Sequence, residues 1–458
     1  MRKRRYRFSS TLKQDRCQEV YNLAFNFTHP AYTKVFASVS MNRAVVYELA
    51  EGGGICPLQS YVDENKEENF YALTWARDGE SGTPLLVIGG INGVMRILDC
   101  HLMSSPRTLK GHGNSINDLK TSPVNPSLIL SASKDESVRL WNLQTGVCVA
   151  IFAGYAGHRN EVLSCGFHPG GKYIISSGMD NSVKLWSLQG KVREHITLSF
   201  IWDEGRHGSC TSFPTLYEQY PEFSSAEIHT NYVDCAQYFG DAVLSKSIES
   251  KIVLWVRDDP ESGTWDPWNR PAKGHNLQIN SLQRVAPFPG PSPRPEDGVG
   301  PLPTFEPLPV PPLAHEDEGS VEREGGEVKI QSTIPASGSL TKSTGAAEGR
   351  EGLLGIPLEK RKDQIRIVRE FNYDRSDIWF LRFSLDFFMG FMAVGNRDGK
   401  IFVWDMRTLE RPALLQKISH HSCNSACRQA ALSFDGSTIV SAHDDGSIWR
   451  WDETDQGA

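Results

Sequence analysis

Two segments carry the residue set of a serine hydrolase at matched spacing. His112, Ser131 and Asp135 lie in GHGNSINDLKTSPVNPSLILSASKDESVRLWNL (Gly111–Leu143), and His158, Ser176 and Asp180 lie in GHRNEVLSCGFHPGGKYIISSGMDNSVKLWSL (Gly157–Leu188). Serine, histidine and carboxylate together can activate a hydroxyl as a nucleophile. Here, however, the set is copied along with everything around it. Each copy has a Gly-His opening, an apolar strand, a Pro turn, a Ser-bearing strand, an Asp-centred turn and a strand ending in Trp141 or Trp186. A catalytic site is built once, whereas residues that recur with their scaffold belong to the scaffold. The four positions are therefore expected to form a buried hydrogen-bond chain, since buried polar groups must be satisfied. No Cys/His cluster at metal-ligand spacing and no phosphate-cradling glycine loop accompanies them, so no catalytic residue, metal or cofactor is expected.

The elements that hold these residues are repeats. A Gly-His start and a Trp finish at a period of about 40 to 45 residues mark a β-propeller blade, and the pattern resembles the WD40 family. Third strands read NRAVVYEL (42–49), GVMRILD (93–99), SVRLWNL (137–143), SVKLWSL (182–188), SKIVLWV (250–256), GKIFVWD (399–405) and GSIWRWD (446–452). Their polar/apolar alternation predicts half-buried strands, and their number predicts an all-β, seven-bladed ring. Tyr47 and Leu98 stand where the first two blades have lost the Trp. The last blade has three strands of its own, and an open edge at a closing seam is a liability. Arg4 to Lys13 alternates and precedes blade one, so it is predicted to supply the missing outer strand.

Two stretches interrupt the repeat. Residues 189–228 hold a short predicted helix (Val192 to Phe200) and an aromatic-rich run expected to pack on the propeller. From 258 to 362 the chain turns to Pro, Gly, Ser and Glu, a composition that cannot bury enough apolar surface to offset its ordering entropy. The expected organisation is blades one to five with the closing strand in 1–257, a disordered insertion in 258–362, and blades six and seven in 363–458. PxxP patterns in the insertion fit an SH3-like or WW-like partner, although a linker is the simpler expectation.

The 458 residues carry a formal net charge of −7, which gives no global electrostatic case for binding nucleic acid, and no direct sequence-specific DNA contact is expected. No run of eighteen apolar residues is present, and MRKRRYR lacks the apolar core of a signal peptide. Those first residues suit a nuclear-import patch or a solvated tail. Nine scattered cysteines fit a reducing compartment. A soluble, intracellular protein is expected.

Repeat alignment separates what folding needs from what is added. With Phe25, Trp75, Thr121, Phe167, Tyr238, Phe383 and Phe434 in one column, the position four residues earlier holds Tyr21, Tyr71, Asn117, Leu163, Asp234, Trp379 and Ala430. That position lies at the entrance to an inner strand, near the mouth of the central channel. Blades six, seven, one and two are consecutive on a seven-membered ring. Three large rings are thus expected to converge over Ala430, with Phe380 and Phe70 beside them. Aromatic walls around a small gap fit a quaternary ammonium group held by cation–π attraction; core packing is the alternative.

Several segments carry a more specific likeness. QSYVDENKEENFYALTW (Gln59–Trp75), KGHGNSIN (Lys110–Asn117), IHTNYVDC (Ile228–Cys235), LSKS (Leu244–Ser247) and SDIWFLRFSLDF (Ser376–Phe387) resemble the extra sex combs, embryonic ectoderm development and fertilisation-independent endosperm family. SKDESVRLWN and IHTNYVDC read most like its plant branch. These proteins are WD40 subunits of Polycomb repressive complex 2. The resemblance implies a nuclear, non-catalytic scaffold and histone reader that supports a SET-domain methyltransferase of the Enhancer of zeste type, alongside other subunits of that complex. It places a trimethyl-lysine cage at Tyr21, Tyr71, Trp379 and Phe380, and a contact to the histone-tail backbone at Arg428. The alternative, from the propeller alone, is a generic WD40 adaptor such as a ubiquitin-ligase substrate receptor.

Overall fold

The computed structural model describes residues 4–13, 18–101, 105–202, 212–258, 364–407 and 414–454. Within them the strands assemble into seven sheets of four or five strands, each a blade; in six the strands run in sequence from inner to outer, and in the seventh the N-terminal strand takes the outer place. All seven predicted third strands take that place. Apolar side chains alternate onto the two faces of each sheet and meet those of the next blade. The core is therefore a ring of interfaces such as that joining Ile116, Leu119 and Trp141 of blade three to Val87 and Ile97 of blade two.

The seam closes as predicted. Tyr6–Lys13 pairs antiparallel with Ser447–Glu453 as the outer strand of blade seven. Tyr6 is buried, donates from its hydroxyl to Gly436 O at 2.6 Å, and trades two backbone hydrogen bonds with the Gln416 amide at 2.8 and 2.9 Å. The first insertion packs on the ring. Its helix, Lys191–Ile201, sends Val192, Ile196 and Phe200 into the core between blades three and four. Leu216–Glu218 then adds a fifth, parallel strand to blade three, and Phe223–Ser225 becomes the outer strand of blade four. Blade five takes its outer strand from Gln364–Asn372. Apart from Asp258, the insertion at 258–362 lies outside the described residues, as does the start of the basic N-terminus. No helix among the described residues is long and apolar enough to cross a membrane.

The recurring residues form the expected chains. In blade three, Ser131 Oγ lies 2.6 Å from His112 Nε2, His112 Nδ1 lies 2.8 Å from Asp135, and Trp141 Nε1 donates to Ser131 Oγ at 2.8 Å. Blade four repeats this through His158, Ser176, Asp180 and Trp186. The geometry is that of a catalytic triad, yet Ser131 is wholly buried and its oxygen already accepts from the tryptophan. No substrate can reach it. Two further chains had escaped the sequence pattern: His229, Ser245, Glu249 and Trp255 in blade five, and His443, Ser441 and Trp451 in blade seven.

Candidate functional site

Inner strands enter the channel through a bulge. In blades two, three, four, five and seven the pairing register skips one residue, which is Tyr71, Asn117, Leu163, Asp234 or Arg428. A bulge re-aims the side chain of the extra residue; Tyr71 and Arg428 stay partly exposed at this position, whereas Asn117, Leu163 and Asp234 are buried. Tyr21, just before Asn22–Phe25, is its counterpart in blade one. The column reading holds for blades one to five.

In blades six and seven it is displaced by two residues. Trp404 pairs with Met392 and Met392 with Leu385, so Leu385, not Phe383, is the register partner of Thr121. The mouth position of blade six is then Leu381. In blade seven it is Arg428, while Ala430 is buried in mid-strand opposite Ser441. Phe434 is not an inner-strand marker, because the inner strand ends at Leu432, which pairs with Ile439 opposite Trp451; Phe434 instead stacks on Phe387 at 4.4 Å. Phe70 also lies outside the mouth. It is fully buried in the core, beneath the Arg96 guanidinium at 5.2 Å.

Trp379 and Phe380 reach the mouth by another route. The segment before Phe383–Leu385 is irregular, and Phe380 sits in the left-handed region with φ 59°. For a bulky side chain this conformation is strained by about 1–3 kcal/mol and persists only where the surroundings enforce it. Arg428 supplies one such tie, donating from Nη1 to the Trp379 carbonyl at 2.8 Å; its own carbonyl accepts from Arg382 N at 3.0 Å.

The result is a continuous wall of four rings. Tyr21 meets Tyr71 edge-on with centroids 5.3 Å apart, Tyr71 lies 6.5 Å from Phe380, and Phe380 meets Trp379 at 5.0 Å and 68°. Trp379 is 48 % exposed and the other three are half-buried. Burial raises the pKa of both tyrosines above the usual value; Glu19 adds to this for Tyr21, while the Asn69 side chain, facing both hydroxyls, works against it. Both phenols therefore stay neutral near pH 7, and the wall carries no charge of its own.

Beneath the wall the channel is crossed by charge. Arg382 of blade six reaches blade three, donating to Asp118 Oδ1 and to Asn117 O, both at 2.5 Å. Asp118 is fully buried, which pushes its pKa up, but the guanidinium and Lys120 hold it below the usual carboxylate value. Lys246 and Asp234, also buried, pair at 2.9 Å. Among the described residues no cluster of His, Cys, Asp or Glu is arranged to hold a metal ion.

The family model "WD domain, G-beta repeat" matches residues 103–142, 146–187 and 413–452. The chain is 37 % identical to Polycomb group protein FIE1 of Oryza sativa subsp. japonica, over 99 % of this chain and 93 % of that one. It is 33 % identical to Polycomb protein esc of Musca domestica, over 97 % and 84 %. A chain in the structure of Chaetomium thermophilum PRC2 in complex with H3K27me3 and H3K27M has the same fold, with a TM-score of 0.64 at 20 % identity over 98 % and 97 % of the two chains. Identity at this level to FIE and esc proteins, along nearly the whole sequence, means that this chain belongs to their family of Polycomb group WD40 proteins.

Proposed function

We propose that this protein is the non-catalytic WD40 subunit of a Polycomb repressive complex 2, and that its mouth reads a trimethylated lysine on a histone tail. The single observation that carries the reader role is the wall of Tyr21, Tyr71, Phe380 and Trp379, half-open to solvent and uncharged. Each ring facing a quaternary ammonium contributes about 0.5–2 kcal/mol, depending on desolvation. Selectivity follows from what the rings withhold. A lysine ammonium would exchange water hydrogen bonds for aromatic faces, whereas a trimethylated one has no N–H to satisfy. Arg382 lies against Phe380 and spans from blade six to blade three beneath the wall, so a tail lies across the mouth and inserts one side chain.

The relatives' Polycomb naming supports a nuclear role and assembly with the other subunits of such a complex. The catalytic partner is a SET-domain methyltransferase of the Enhancer of zeste type. For the reader to stimulate it, the partner must bind better in its active arrangement when the mouth is filled, because a ligand shifts an equilibrium only through differential affinity. Reconstitution with that methyltransferase tests both roles. Wild type assembles and trimethyl-lysine peptide raises turnover; Trp379→Ala assembles equally but loses the stimulation. Failure to assemble contradicts the scaffold role, and stimulation that survives the substitution contradicts the reader role.

A further inference from the structure

The exposed Trp379 ring has little to hold it. Its segment belongs to no strand, the ring packs against Phe380, and nearly half of the residue faces solvent. What fixes it comes from the next blade. Arg428 stands at the inner-strand bulge of blade seven, the position occupied by a cage tyrosine in blades one and two. Its Nε and Nη2 donate to the two oxygens of Asp444 at 2.5 and 2.7 Å, and the remaining terminal nitrogen, Nη1, donates to the Trp379 carbonyl. Asp444 is itself anchored, its amide donating to Ala426 O at 3.1 Å in the turn that leads into Ser447–Glu453. A two-pronged carboxylate contact fixes the plane of a guanidinium as well as its position. Arg428 also accepts from Arg382 N through its own carbonyl, and Arg382 bridges Gln429. Blade seven thus grips the chain on both sides of the left-handed Phe380.

From this geometry we infer that Arg428 and Asp444 form a positioning clamp that holds Trp379, and with it Phe380, in the conformation that closes the aromatic wall. The function of this clamp rests on the reader assignment above, but its structural half does not. Three of the five guanidinium N–H groups are used inside the protein, so the main task of Arg428 is to build the site. A direct contact to the tail is the competing role.

The test uses the full-length protein labelled with 5-fluorotryptophan, with Trp379→Phe identifying the Trp379 fluorine resonance. Without peptide, Arg428→Gln and Asp444→Asn should each shift or broaden that resonance and leave the other tryptophans in place, which also reports that the variants are folded. Arg428→Lys keeps the charge but not the fork, and should restore neither line shape nor affinity fully. With an H3K27me3 peptide, both clamp variants should weaken binding by about tenfold, and the preference over the unmethylated peptide should shrink. An unchanged Trp379 resonance in both variants overturns the clamp. So does full affinity in Asp444→Asn beside lost affinity in Arg428→Gln, which assigns Arg428 to the tail. If wild type binds no peptide while the clamp variants still move the resonance, the reader assignment fails and the clamp stands.

Discussion

The buried chains of blades three, four, five and seven and the aromatic wall at the mouth use overlapping residue types under opposite rules. In the chains every donor has an acceptor: tryptophan N–H to serine, serine O–H to histidine, histidine N–H to carboxylate in blades three to five and to Ser425 O in blade seven. At the wall the rings are partly open, one residue is strained, and the segment that bears two of them is tied from another blade. The chains repeat with the fold and the wall breaks its symmetry. In a repeat protein, polar and aromatic residues fully satisfied within their own blade serve stability, and those left partly open to solvent are free to serve recognition.

That division can be broken experimentally, and the largest effect should come from the bulge position of blade five, where the fold has buried the charge of Asp234. Lys246→Met leaves Asp234 buried without its cation and should cost about 3–5 kcal/mol, read as a large drop in the denaturant midpoint; an unchanged midpoint would remove blade five from the stabilising class. Next, Trp379→Ala should weaken trimethyl-peptide binding by roughly 2 kcal/mol, or about thirtyfold, with an unaltered melting temperature. Ser176→Ala orphans His158 Nε2 and Trp186 Nε1 and should cost about 1–3 kcal/mol of stability, with peptide affinity intact.

Acid should act on the chains and spare the wall. Burial holds His112, His158, His229 and His443 below the ordinary histidine value. A lowered folded value means that the neutral form is the folded one. Their stabilising contribution is full above pH ~6.5, where the unfolded chain is also neutral, and is lost as pH falls below it toward the folded values. The melting temperature should therefore decline between pH 7.5 and 5.5, measured by calorimetry. The smallest effect separates strain from contact: Phe380→Gly relieves a left-handed residue, which is worth about 1 kcal/mol or more, but deletes one ring of the wall. It should bind peptide poorly while being no less stable than Phe380→Ala.

The blade count, the closing strand and two of the hydrogen-bond chains were legible in the sequence because each is written as a repeat. The blade-five chain was obscured by Glu249 standing where other blades have Asp. In blade seven, His443 follows Ser441 by two residues, whereas the other chains draw their histidine from the loop before the inner strand. Strands of three residues, such as Leu216–Glu218, carry no periodicity to read. All four wall residues were named from the sequence, but the column argument reached Trp379 through a register that the pairing does not have. Counting from Phe383 assumed that blade six enters its inner strand as the others do. Nothing in the sequence marks a phenylalanine that will adopt positive φ, and the tie from Arg428 that accompanies it joins residues 49 positions apart.

The most direct measurement is calorimetric titration of the purified protein with histone H3 tail peptides carrying zero, one, two or three methyl groups on the lysine, in parallel with Trp379→Ala. Affinity that rises with each methyl group and falls about thirtyfold in the variant is the expected result. Equal affinity for all four peptides, or binding undiminished by loss of the tryptophan, would contradict the assignment of the mouth as a methyl-lysine reader.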